Sequence, residues 1–218
     1  MENIIGSILI VLITLACLYI QVKGIAKGIY DSSLASWVIW TAIFMFLFII
    51  NLVHDGWSAI TVFLAIQGVA HVAMIFITYK YVSKTFSKDE IKLLSISVIG
   101  FLLWIGSYII GLFVVAFDPL VIACIGIAGQ IVADAAGAIP YMKIVYKTPQ
   151  RQPLSAWIIN MLVYPVTAYG TYVHHESWTD YLFLVYAFFM YGTLLAVLII
   201  ARRRIRLWSW GWINQPIF

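Results

Sequence analysis

Residues 16–40 read ACLYIQVKGIAKGIYDSSLASWVIW, and residues 136–160 read AGAIPYMKIVYKTPQRQPLSAWIIN. Set in register 120 residues apart, they share Ala16/Ala136, Lys23/Lys143, Lys27/Lys147, Leu34/Leu154, Trp37/Trp157 and Ile39/Ile159. Carried without gaps over residues 3–54 and 123–174, the register adds Ile5/Ile125, Gly6/Gly126, Val53/Val173 and His54/His174, which makes ten identities. One inserted residue later, Trp57 meets Trp178. Shared hydrophobicity supplies a few apolar matches, but not paired Lys, Trp and His. A period of this length marks a duplicated structural unit, so it is weighed before any local motif.

The chain as a whole is strongly apolar. Of its 218 residues 64% are hydrophobic and 10% charged, with a mean hydropathy of +1.01. An ordinary soluble domain is about 25% charged. A membrane span needs about 20 apolar residues, and seven stretches qualify: 3–22, 34–53, 58–79, 93–116, 119–142, 154–173 and 181–201. The expected fold class is an all-α membrane protein with seven transmembrane helices. The first span lacks a basic leader and a small-residue cleavage site, so it is expected to be retained. Cys17 and Cys124 fall in different spans and are expected to be small apolar residues of the bundle, not a disulfide.

All 13 basic residues sit in four places: Lys23 and Lys27; Lys80, Lys84, Lys88 and Lys92; Lys143, Lys147 and Arg151; Arg202, Arg203, Arg204 and Arg206. These follow spans 1, 3, 5 and 7. The positive-inside rule places them in the cytoplasm and the N-terminus outside, in a cell (inner) membrane. The opposite side carries Glu2, Asp55, Asp118, Glu176 and Asp180, with His54, His174 and His175 beside them. The net charge of +4 therefore reports topology, and no nucleic-acid partner is expected. Trp208, Trp210 and Trp212 beside the arginines suit a headgroup layer with anionic lipids.

Spans 1 to 3 and 5 to 7 are the two copies. Three is odd, so span 4 is needed to restore the orientation and make the copies parallel. The expected organisation is a first three-helix repeat with its cytoplasmic loop (1–92), a linker helix (93–118), a second repeat (119–201) and a basic aromatic tail (202–218). Such halves enclose a site near the bilayer midplane.

At this point the sequence resembles the SWEET and PQ-loop superfamily of small carriers, which shares the 3+1+3 layout. Pro140, Lys143, Tyr146, Lys147, Leu154 and Ser155 keep the spacing of its proline, basic stretch and Leu-Ser helix opening. Tyr141 stands where the family has glutamine, Ile20 replaces the proline in the first repeat, and Pro149-Gln150 lies too late to be the motif. A closer likeness is to bacterial seven-helix members with Asp-x-x-Gly-x-x-Pro, a basic helix end and a Trp opening the next helix. Asp134, Gly137, Pro140, Lys143 and Trp157 match, and Ser36-Trp37 is similar in the first repeat. The resemblance implies a carrier fold and names no substrate.

Asp134 is the one acidic residue placed well inside a span. A carboxylate in hydrocarbon costs roughly 2.5 kcal/mol or more, so it faces the bundle interior or is protonated. Gln130 and Gly137 share its helical face. It serves either proton or substrate handling, or interhelical hydrogen bonding. Pro140 removes a helical hydrogen bond to Ala136, as a hinge of span 5 or as a fixed bend; Pro165 is the corresponding candidate in span 6. Candidate substrate contacts are Trp40, Asn160 and Tyr164, with Gln67 and Gln130; the Trp40 and Asn160 pair looks like the Trp and Asn walls of SWEET-type pockets. Gln67 and His71 share a face of span 3, and His71 joins Asp134 in a proton relay if both face one cavity. Trp37 and Trp157 fit an aromatic belt.

No phosphate loop, zinc spacing or nucleophile elbow appears, so neither an enzyme, a metal site nor a cofactor is expected. Span 7 has no lysine for a retinal Schiff base. The expected function is alternating-access carriage of a neutral or cationic polar solute such as a sugar, nucleoside, vitamin or amino acid, with Asp134 as its protonatable centre. The competing expectation is a receptor, as in KDEL-sorting receptors, or an accessory subunit of a membrane complex, with Gly100, Gly106 and Gly111 serving helix packing and homo-oligomers allowed.

Overall fold

In the computed structural model, apolar runs become helices wherever no proline or glycine turn interrupts them. The structure describes residues 2–54, 56–113, 119–173 and 178–205. The expectations for Asp55, Asp118, His174, His175, Glu176, Arg206, Trp208, Trp210 and Trp212, and for the side chains of His54, Cys124 and Asp180, lie outside the described residues.

The helices are α1 (Glu2–Ala26), α2 (Leu34–His54), α3 (Ala59–Tyr81), α4 (Lys88–Phe113), α5 (Pro119–Lys147), α6 (Leu154–Met161), α7 (Val163–Val173) and α8 (Trp178–Arg204). A 3₁₀ turn spans Pro149–Arg151, and no strand occurs among the described residues. Five segments are long and apolar enough to cross a membrane: Ile5–Ala26, Leu34–Val53, Ala59–Tyr81, Lys88–Gly111 and Leu184–Arg204.

Span 6, expected as one helix, is broken. Pro165 has no N–H to give to the carbonyl one turn back, and the chain tightens at Leu162, whose N–H bonds Ile159 instead. α6 and α7 are thus two short pieces of one rod, and seven rods result. Pro140, by contrast, sits inside a continuous α5.

The helix ends follow local chemistry. α1 closes on Gly28, whose φ of 68° is the left-handed conformation that glycine tolerates, and Ile29 N–H returns to Gly24 O at 2.8 Å. The Ser33 hydroxyl accepts from Ser36 N–H at the start of α2, and Ser58 does the same for Thr61 at α3. Ser87 and Glu90 form a reciprocal capping box that opens α4.

α3 packs against both α1 and α2, and α8 packs against α5, α6 and α7. The halves meet where α1 lies on α6 and α7, α2 on α5, and α3 on α7. α4 lies mainly on α5. A methyl on Gly100 would come within 2.7 Å of Gly129 O, and one on Gly129 within 2.6 Å of Gly100 O, so these two backbones touch. Gly106 faces open space and does not share that role.

Candidate functional site

The polar residues of the helical faces converge between the halves. α1 brings Thr14, Cys17 and Gln21; α3 brings Gln67 and His71; α6 brings Asn160. All six are buried. With Trp37, Trp157 and Tyr191 they enclose a cavity of about 30 Å³. At roughly 10–15 Å³ per water that holds about two waters.

The wall is aromatic. Trp37 lies 5.3 Å from His71, which lies 4.9 Å from Phe44. Across the cavity Trp157 lies 6.0 Å from Tyr191, which lies 5.7 Å from Tyr164. Trp37 and Trp157, and Phe44 and Tyr164, are each 120 residues apart. Tyr141 stands between the two indoles, 5.8 Å from Trp37 and 5.2 Å from Trp157, with its ring turned edge-on to both.

Several polar groups of this wall are already engaged. The Gln67 amide donates to Thr14 Oγ1 at 3.3 Å. Cys17 Sγ donates to Ala156 O at 3.2 Å, tying α1 to α6. Others are less well matched: His71 Nδ1 is buried without a protein partner, and Trp157 Nε1 approaches the Tyr141 hydroxyl without closing a hydrogen bond of good geometry. Buried polar atoms are nearly always paired, so such exceptions call for a bound molecule or a functional reason. No Asp, Glu, Lys or Arg among the described residues lines the cavity.

Asp134 is buried on α5 but outside this lining. Its carboxylate is held by the Tyr186 hydroxyl of α8, and the Trp40 indole N–H approaches it without closing a hydrogen bond of good geometry. Trp40 in turn touches His71 at 6.0 Å and Tyr191 at 5.8 Å between ring centroids. Gly137 explains the approach: a methyl there would stand 3.2 Å from Trp40 Nε1 and 2.8 Å from Ile39 Cγ2. One face of α5 is therefore a socket, with Asp134 as its polar end and Gly137 as its floor.

Of the expected site residues, Gln67, His71 and Asn160 share the cavity. Trp40 and Tyr164 stand one layer behind it in the aromatic wall. Gln130 is half-buried and lies outside the lining. His71 and Asp134 do not face one cavity, since Trp40 contacts both and only His71 reaches the lining. Pro165 sits beside the α6–α7 break, and Pro140 lies one and a half turns beyond Asp134 on α5.

Trp37 and Trp157 correct the belt reading. They are 4% and 3% exposed and form part of the cavity wall, whereas a belt residue would present its ring to the headgroups. Their match in the repeat was the usable signal, because membrane anchoring does not require an indole at equivalent points of two copies. Tyr141, Tyr186 and Tyr191 carried no such signal. A larger apolar furrow of about 410 Å³ between Ile8, Leu12, Trp57 and Val62 bears only the hydroxyls of Ser7 and Ser58 and no titratable group.

No protein-family profile, curated protein or solved structure matches the chain.

Proposed function

We propose that the chain is a small-molecule carrier of the cell (inner) membrane, working by alternating access around the cavity between its halves. The observation that carries this reading is the aromatic and polar cavity between the halves, in which His71 Nδ1 lacks a protein partner. A volume of about 30 Å³ is too small for a sugar-sized solute, so the walls separate when solute enters. The lining is uncharged, which favours a neutral hydrogen-bonding solute such as a sugar, nucleoside or vitamin over a cation.

The architecture adopted is the SWEET and PQ-loop pattern of two parallel three-helix repeats joined by α4. In its support, α3 lies between α1 and α2 as α8 lies between α5 and the α6–α7 rod. The orientation follows the basic residues, with the N-terminus outside. Asp134 acts one layer from the solute, through Trp40, as the protonatable group.

The test has two steps. A thermal-shift screen of small polar metabolites in detergent identifies a ligand, because binding to the folded state raises apparent stability by mass action. Uptake of that ligand into proteoliposomes follows. Asn160→Leu is expected to reduce uptake about tenfold or more through loss of a polar contact, and Asp134→Asn to flatten its pH dependence. No stabilising ligand and no uptake across the panel would reject the reading.

A second reading, an assembly subunit, draws on α4. Its outward side presents Ile96, Ile99 and Leu103, each about half exposed, beside the open Gly106. Its distinguishing result is a stable homo- or hetero-oligomer in native mass spectrometry that Gly106→Leu disperses.

A further inference from the structure

The connector after α1 (residues 27–33) and that after α5 (residues 148–153) occupy equivalent places in the repeat, and they meet. Arg151 Nη2 lies 2.9 Å from Asp31 Oδ1, and these two residues are themselves 120 apart. Asp31 N–H donates to Arg151 O at 3.1 Å, the Thr148 hydroxyl to Asp31 Oδ2 at 2.8 Å, and the Gln152 amide to Asp31 O at 3.3 Å. Arg151 also donates to Gly28 O at 2.9 Å. Each of these bonds runs from one half of the chain to the other.

An exposed ion pair alone holds weakly. This one is braced. Arg202 of α8, 4% exposed, donates through Nε to Pro149 O at 3.1 Å and through Nη2 to Gln152 O at 2.7 Å. A buried guanidinium whose hydrogen bonds go to carbonyls is costly to keep, so its position is set by the segment it holds. On the other side Tyr30 packs so closely on Gly24 that a methyl at Gly24 would overlap its ring. Burial raises the Tyr30 hydroxyl above its ordinary value, and Arg202 nearby works against that shift.

The contact also reaches the cavity. Ser32, next to Asp31, accepts the Trp37 indole N–H at 2.6 Å and pairs with Thr78 of α3 at 2.9 Å. Trp37 and Trp157 start the helices that leave the two connectors and end in the cavity wall, with Tyr141 between them.

We propose that Asp31 and Arg151 form a latch between the repeats that shuts the connector-side mouth of the cavity, and that Ser32 transmits its state to Trp37. As a gate it rests on the carrier reading, but its test needs no transport. Cys17 lines the cavity and is 5% exposed. With Cys124→Ser it becomes the sole thiol, and its rate of reaction with a hydrophilic maleimide reports access in the detergent-solubilised full chain. Asp31→Asn and Arg151→Gln are each expected to raise that rate about fivefold, the factor equivalent to losing about 1 kcal/mol. The exchange Asp31→Arg with Arg151→Asp is expected to return it to the parental value. A second measurement avoids substitution: raising salt from about 0.05 to about 0.5 M should speed labelling of the parent but not of the single variants. Single variants at the parental rate, an exchange as fast as the singles, or a salt-independent parent would each overturn the latch. Failed uptake with an intact latch would count against the carrier reading alone.

Discussion

Where α1 carries Thr14, Cys17 and Ile20, α5 carries Asp134, Gly137 and Pro140 at positions 120 residues on. The Thr14 hydroxyl is met by Gln67 of α3, and the Asp134 carboxylate by Tyr186 of α8, so each first helix is tied to the middle helix of its own half. Cys17 reaches across to Ala156 of α6, while Gly137 admits Ile39 and Trp40 of α2. The second half thus bears the buried carboxylate, the in-helix proline and the broken rod, and the first half bears continuous helices with His71 as its buried imidazole. Corresponding pairs of helices touch in the two halves, and the chemistry at each contact differs.

Three pairs of substitutions at matched positions put that division under strain. Ile20→Pro should cost about 3 kcal/mol or more in detergent denaturation, because α1 has no accommodation for a lost N–H and a ring clash, whereas Pro140→Ala should change stability by at most about 1 kcal/mol. Equal, small effects would make the two first helices equally pliant. Next, Gly137→Ala should cost roughly 1–3 kcal/mol by overpacking Ile39 and Trp40. Cys17→Ala, which removes two weak hydrogen bonds of the thiol, to Ala156 and from Gln21, should cost about 1 kcal/mol or less; thermal unfolding of both variants compares the two crossings directly. The smallest effect separates the indoles. Trp37→Phe removes the 2.6 Å bond to Ser32 and Trp157→Phe removes an N–H that closes no hydrogen bond of good geometry, so Trp37→Phe should be the less stable by about 1 kcal/mol. Trp157→Phe should in turn lose more of the ligand-induced thermal shift, and identical losses would remove Trp157 Nε1 from the site.

Legibility was uneven along the chain for physical reasons. Apolar runs and charge placement made α1 to α4 and α8 readable to within a few residues, since the bilayer length requirement acts on each segment separately. The break at Leu162 was not readable, although Pro165 was noted, because proline near the start of a helical segment and proline inside one look alike in sequence. Pro140 makes the point from the other side, in an unbroken α5. Gln67, His71 and Asn160 were found from their polarity in apolar helices, and all three reach the cavity. Gln130 shared that signal and lies outside it, because periodicity ranks the faces of one helix without saying which neighbour covers each. Tyr186 and Tyr191 of α8 went unremarked among the 13 tyrosines of the chain.

By itself the sequence determined the helical class, the segments apolar enough for a membrane, the segregation of basic residues and the 120-residue duplication. All of these are properties of single segments or of the chain compared with itself. Only the tertiary structure decided that Trp40 stands between Asp134 and the cavity, that Trp37 and Trp157 wall it, and that Asp31 meets Arg151. Each of those depends on the rotation and separation of helices far apart in the chain. A shift of one side chain around a helix turns it by about 100°, from the centre of the bundle towards its edge. Such rotations are set by close packing, as at Gly137 beneath Trp40 and at Gly100 against Gly129, and no periodicity within one helix records them.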